Sequence, residues 1–91
     1  MAFIVTRIQV GDYDVFKPMF DEDAPGARQS AKGHRILRGV EDRNEVFIQV
    51  EFASSEDARA GRERLLASGV LDRFPDKSRP TVVEEAEVVR Y

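Results

Sequence analysis

The chain contains a single histidine, which is its clearest candidate for acid–base chemistry. Imidazole is the side chain whose proton equilibrium lies nearest neutral pH, so His34 could act as a general base. The strand pairing predicted below places His34 opposite Glu51, whose carboxylate would orient the ring and favour its protonated form. His34 and Glu51 are therefore the candidate catalytic residues. The alternative is an ordinary hydrogen-bonded or solvated histidine at the start of a strand.

A second set of polar side chains could bind a small molecule. Arginine guanidinium groups bind carboxylates and enolates through paired hydrogen bonds, and Tyr13 could act as an acid near the mouth of a cavity. The candidate ligand-binding residues are Arg7, Gln9, Tyr13, Arg38 and Gln49. The alternatives are salt bridges across a dimer interface for Arg7 and Arg38, and a core position for Tyr13, which has helical spacing with two phenylalanines.

Composition excludes several other kinds of site. The chain has no cysteine, which rules out disulfides, thiolate metal sites and cysteine nucleophiles. One histidine with scattered carboxylates falls short of the usual ligand set of a metal ion, so we expect no metal and no cofactor. Fourteen basic and seventeen acidic residues give a net charge of -3. That balance argues against nucleic-acid binding, which needs a basic face.

Length and hydropathy bound the organisation of the protein. Ninety-one residues are enough for one domain, which we expect to span residues 1–91. No apolar run approaches the roughly 20 residues of a membrane span. The stretch Phe3 to Val10 is not expected to be a signal peptide, because Arg7 interrupts it and no small-residue cleavage site follows it. We therefore expect a soluble cytoplasmic protein that binds no membrane.

Six elements must position the candidate residues, in the order β-α-β-β-α-β. Runs of β-branched and apolar residues predict strands over residues 3–10, 34–40, 45–52 and 81–91. Asp12 or Asp14 can cap a first helix, and Ser54 can cap a second that ends near Gly69. Four strands and two helices in this order predict a ferredoxin-like α+β sandwich with a four-stranded antiparallel sheet.

The strand patterns also predict what each face of the sheet contacts. In the third strand, Val46, Ile48 and Val50 lie on one face with Phe52, and the helices should cover this apolar face. The opposite face mixes apolar residues with charged ones. It is too apolar for plain water and too charged for the interior of a monomer, which predicts packing against a second copy.

The loop between the second and third strands sets which face His34 occupies. If Glu41–Asn44 forms a four-residue loop, Val40 faces Glu45 and His34 faces Glu51. This register places His34 on the mixed face, together with Arg38. A one-residue bulge would move the second strand's side chains to the other face.

With these features, the chain resembles the dimeric α/β barrel superfamily, which includes antibiotic-biosynthesis monooxygenases and small polyketide cyclases. The resemblance rests on Asp12-Tyr13-Asp14 with Phe16 and Phe20, on Gly33 to Arg38, on Asn44-Glu45-Val46, and on Glu51-Phe52 before a helix-starting serine. It implies a homodimer joined sheet to sheet, with a pocket between sheet and helices in each subunit. Haem binding is not implied, because the chain has no tryptophan and its histidine begins a strand.

Two functions remain open at this point. One is a cofactor-independent monooxygenase-like or cyclase-like enzyme that acts on a hydrophobic or aromatic compound. The other is a non-catalytic dimeric module for ligand binding or a stress response. An RNA-recognition module shares the strand order, but Glu45 and Gln49 occupy positions where that module has a basic and an aromatic residue.

Overall fold

A computed structural model describes residues 1–91 and places both helices on one side of a single sheet. The elements are β1 (Ala2–Gln9), α1 (Tyr13–Glu22), β2 (Ala31–Arg38), β3 (Glu45–Phe52), α2 (Ser55–Ser68), a short 3-10 helix (Val70–Arg73) and β4 (Thr81–Glu84). The strand order is β2-β3-β1-β4, and every neighbouring pair is antiparallel. The predicted ferredoxin-like α+β fold is confirmed.

Side-chain caps start both helices where the sequence predicts them. The Asp12 carboxylate accepts a hydrogen bond from the backbone N–H of Asp14 at 2.9 Å, and Ser54 Oγ accepts one from that of Asp57 at 3.1 Å. Each bond satisfies an N–H group that has no partner within the helix. Helix α2 ends at Gly69, whose φ of 73° lies in the left-handed region that glycine tolerates.

The core lies between the helices and one face of the sheet. Buried and half-buried residues alternate without interruption along β1 and β3, as period-two strands require. The buried face carries Ile4, Ile8, Val46, Ile48, Val50 and Phe52. We call this side of the sheet the helix face. The predicted apolar face of β3 is therefore confirmed.

The two helices approach the sheet to different depths. Helix α2 comes close because its contact residues are small: Ala58 is fully buried, and a Cβ on Gly61 would lie 3.0 Å from the ring of Phe52 in β3. The backbone of α1 stays farther from the strands, and its large side chains span the gap. Phe16 is central in this layer and packs against Tyr13 and Phe20. This uneven approach leaves space under α1.

The predicted register of β2 is wrong by one residue. His34 pairs with Val50, and Gly33 pairs with Glu51. The hairpin closes one residue earlier than predicted, because the N–H of Gly39 donates to the carbonyl of Glu45 at 2.8 Å and leaves a five-residue loop, 40–44. Only glycine fits there, since a Cβ on Gly39 would lie 2.5 Å from the carbonyl oxygen of Asp42.

Strand β2 also begins earlier and β4 ends earlier than predicted. A bulge between Ala31 and Gly33 lets β2 pair from Ala31 onward. Strand β4 ends at Glu84, which pairs with Ala2 at the start of β1. Residues 86–91 extend beyond that end and have no strand of this chain beside them.

The side of the sheet opposite the helices carries no other element across it. We call it the open face and define it by Phe3, Val5, Arg7 and Gln9 of β1 with Glu45, Phe47, Gln49 and Glu51 of β3. All eight residues are half-buried, whereas their neighbours on the helix face are buried. None of the helices has the length and apolarity needed to cross a bilayer.

Candidate functional site

A cavity of about 100 Å³ lies between α1 and the helix face of the sheet. The sheet forms its floor, the aromatic side of α1 forms one wall, and α2 with the 3-10 helix forms the other. Its lining is apolar except for Thr6, Asp23 and Arg28. A buried space of this size and character suits a small apolar molecule.

Thr6 is the polar group in the floor of the cavity. Its side chain lies on the helix face, opposite Ile48, and the residue is only 8% exposed. The Thr6 hydroxyl makes no hydrogen bond within the protein, and it is not among the fully buried polar atoms, so it is accessible from the cavity that Thr6 lines. A hydroxyl that is open to an apolar cavity can donate to or accept from a molecule bound there.

An ion pair between Arg28 and Asp23 lies in the turn that follows α1 and lines the cavity. Arg28 Nε lies 3.5 Å from Asp23 Oδ1, and the guanidinium carbon lies 3.8 Å from the centre of the Phe20 ring. Arg28 also donates to the Phe20 carbonyl. The Asp23 carboxylate accepts from the backbone N–H groups of Ala27 and Arg28, which holds the turn. The guanidinium of Arg28 and the carboxylate of Asp23 therefore both have partners within the protein already.

Three predicted site residues lie on the helix side but outside this cavity. His34 is exposed, and its ring contacts the edge of Phe20, with centroids 5.1 Å apart. Arg38 stacks on the ring of Tyr13 at 4.0 Å and donates from Nε to the Arg43 carbonyl. The structure thus brings Arg38 and Tyr13 together.

His34 and Glu51 cannot form the predicted pair. The one-residue register difference places His34 on the helix face, while Glu51 stays on the open face. The sheet therefore lies between their side chains. The predicted placement of Arg38 on the open face is wrong for the same reason.

Arg7 and Gln9 belong to a polar network at one end of the open face. Arg7 Nη1 lies 2.9 Å from Asp76 Oδ1, and its Nε lies 2.7 Å from Glu45 Oε2. Hydrogen bonds to Asp76 and then to Glu45 hold the pKa of Arg7 above its already high ordinary value. Both partners are carboxylates of the same chain.

Asp42 joins this network through Gln9. The Asp42 carboxylate accepts from the backbone N–H of Asn44 and from the Gln9 side-chain amide, each at 2.9 Å. These two bonds, the backbone one first, hold the pKa of Asp42 below its ordinary value. Gln49 and Glu51 remain on the open face, where Gln49 pairs with Val5 and Glu51 with Phe3.

The network predicts how Gln9 affects the titration of Asp42. Replacing Gln9 by leucine should raise the Asp42 pKa toward its ordinary value, though not fully, because the Asn44 bond remains. The folded-state pKa is below the unfolded one. Asp42 therefore contributes stability above its unfolded pKa, and this stability is lost as pH falls through the folded value. Titration of the Asp42 carboxyl carbon by NMR measures the shift. Gln49→Leu is the control, and an equal shift in both variants would contradict the Gln9 contact.

No group of three or more histidine, aspartate or glutamate side chains is placed to hold a metal ion. Neither a protein-family model nor a curated protein matches the sequence. Solved structures do match in fold. A protein from Deinococcus radiodurans, provisionally assigned as an antibiotic biosynthesis monooxygenase, superposes with a TM-score of 0.71 and 11% identity over 100% of this chain and 98% of its own.

A second protein with the same provisional assignment, from Nitrosomonas europaea, superposes with a TM-score of 0.64. It is 15% identical and covers 96% of this chain and 100% of its own. The chain shares the fold of these two proteins. The predicted resemblance is confirmed at the level of fold, over almost the whole length of each chain.

None of the seven predicted site residues lines the cavity. Sequence reasoning missed Thr6, Asp23 and Arg28. Thr6 did carry a signal, because it is the one polar residue in the apolar alternation Ile4, Thr6, Ile8 of β1. A polar residue at a buried position is more informative than an exposed one. Arg28 carries no such signal, since it lies in an irregular turn.

Proposed function

We propose that the protein is a homodimer that binds a small, mainly apolar molecule in the cavity beneath α1. The observation that carries the proposal is the apolar cavity with the unpartnered Thr6 hydroxyl in its floor. Ligand pockets are typically apolar with a few polar groups that orient the ligand. The volume of about 100 Å³ suits a molecule of single-ring size, because an engineered apolar cavity of roughly 150 Å³ binds benzene.

The open face supports the dimer. Phe3 of β1 lies beside Val83 of β4, and Phe47 of β3 lies beside Leu37 of β2, so this side of the sheet carries an apolar pair at each of its two edges. A sheet face of this kind is a larger apolar surface than a small monomer usually exposes to water. The charge of Arg7 is already paired within the chain, so burial against a second copy would leave it with a partner.

Ligand-induced stabilisation tests the binding proposal. A single-ring aromatic compound at ten times its Kd should raise the free energy of unfolding by about 1.4 kcal/mol, which raises Tm by on the order of 5–10 °C. Val70 lines the cavity, so Val70→Phe should reduce this gain by filling the space. Val40→Phe is the control, because Val40 is 81% exposed in the hairpin loop. A thermal shift that is equal in all three proteins, or absent from the wild type, would contradict binding in the cavity.

A second candidate is a cofactor-independent monooxygenase-like or cyclase-like enzyme that acts on the bound compound. The provisional assignment of the two fold neighbours favours it. Arg28 is the one cationic residue that lines the cavity, but its charge is already paired with Asp23. Oxygen uptake with each compound that stabilises the protein, followed by mass analysis of the product, separates oxygenation from binding alone. Stabilisation without turnover would favour the non-catalytic ligand-binding module.

A further inference from the structure

Thr6 places a hydroxyl in the floor of the cavity. Thr6 is the only polar residue in the sheet floor, the residue is 8% exposed, and its hydroxyl makes no hydrogen bond within the protein. The folded chain thus leaves the O–H donor and the oxygen lone pairs of Thr6 available to a molecule in an apolar space. We propose that Thr6 is a specificity-determining residue whose hydroxyl binds a neutral oxygen, a hydroxyl or carbonyl, on a single-ring ligand. This inference rests on the proposed binding function.

The surroundings of Thr6 explain why the oxygen should be neutral. Ile4 and Ile8 flank Thr6 along β1, and Ile48 lies opposite it on β3, so no charged side chain adjoins the hydroxyl. Burying a carboxylate or an ammonium group there would leave its charge unpaired, which is costly. The Arg28 charge is not free to compensate, because Asp23 and the Phe20 carbonyl already bond to it.

The position of Thr6 also explains why the ligand should be a single ring. The oxygen must reach the sheet floor while the rest of the molecule fills the space under α1. About 100 Å³ leaves little room beyond one ring in this arrangement. A hydroxyl or a carbonyl can satisfy Thr6, since the threonine hydroxyl both donates and accepts.

Paired probes and a matched variant test the inference. Thr6→Val keeps the shape of the side chain, removes the hydroxyl and suits a strand. Phenol, benzaldehyde and benzene are titrated into the wild type and the variant, and Kd values are taken from NMR shifts of the Ile48 and Val50 methyl groups, which line the cavity. The variant should bind phenol or benzaldehyde about 3- to 10-fold more weakly, because a hydrogen bond is lost, and benzene no more weakly than the wild type does.

The possible results separate this inference from the proposed function. If the probes contact Ile48 and Val50 but Thr6→Val weakens neither phenol nor benzaldehyde, the Thr6 inference is overturned and cavity binding stands. The same holds if benzene binds the wild type and the two oxygen-bearing probes do not. If no probe shifts these methyl groups at saturating concentration, both fail. Thr81→Val is the control, because Thr81 is exposed on β4 and bonds to Arg79, and it should leave every Kd unchanged.

Discussion

Replacing Phe47 by glutamate is expected to convert the proposed dimer into monomers of 10.3 kDa. Phe47 lies near the middle of the open face, with Arg7 on one side and Leu37 on the other. Arg7 is already paired with Glu45 and Asp76, so a carboxylate at position 47 would find no free counter-charge when dimerisation buries it, at a cost of roughly 2–5 kcal/mol. In a two-fold symmetric interface the cost arises twice. The dissociation constant should therefore rise at least about 100-fold.

Light scattering at micromolar concentration measures this change in mass. Val40→Glu adds the same charge at an exposed loop position, so it should leave the mass at twice that of the chain. Circular dichroism of both variants establishes that each is folded. A monomeric wild type, or a Phe47→Glu variant that stays dimeric, would show that the open face is not the interface.

Replacing Phe52 by alanine should give the largest loss of stability in the chain. Phe52 is fully buried and pairs with Ala2 and Ala31 on either side, so its ring fills space that those small residues leave. Its ring also contacts α2 beside Gly61. Deleting a buried phenylalanine ring costs about 3–5 kcal/mol through lost burial and the cavity that remains. A domain of this size is stabilised by only about 5–15 kcal/mol in total.

Urea denaturation followed by circular dichroism measures the effect. Phe47→Ala is the matched control, because it removes the same ring from the same strand on the opposite face. Its cost should shrink as the protein is diluted below the dimer dissociation constant, whereas that of Phe52→Ala should not. Equal losses at every concentration would mean that Phe47 contributes to the monomer core as much as Phe52 does.

The cavity lies apart from the polar residues that the sequence offers as candidates for ligand binding. Arg7 and Gln9 form a network that is closed within the chain, and Arg38 packs against Tyr13. These contacts account for their side chains without a ligand. Thr6 is different, because its hydroxyl makes no hydrogen bond within the protein and Thr6 lines the cavity. The candidate site is therefore identified by a hydroxyl without a hydrogen-bond partner in the protein, and not by a cluster of charged side chains.

Local features of the fold could be predicted from the sequence because short-range interactions decide them. Alternation along β3 needs only neighbouring residues, and its bounds, Glu45–Phe52, are as predicted. The helix starts at Asp12 and Ser54 depend on hydrogen bonds to residues two or three positions away. The order of these elements then leaves few topologies besides the ferredoxin-like one.

Only the tertiary structure decided the register of β2 and the position of the cavity. The sequence allows both a four-residue and a five-residue hairpin loop. The choice depends on one hydrogen bond, from the N–H of Gly39 to the carbonyl of Glu45, and on the close approach of the Asp42 carbonyl to Gly39. That choice moved His34 away from Glu51. The cavity depends on how far α1 stands from the sheet, and packing between residues distant in sequence sets this distance. The sequence by itself therefore determined the secondary-structure elements and the buried faces of β1 and β3. The position of Thr6 in the floor of an apolar cavity arises from long-range packing.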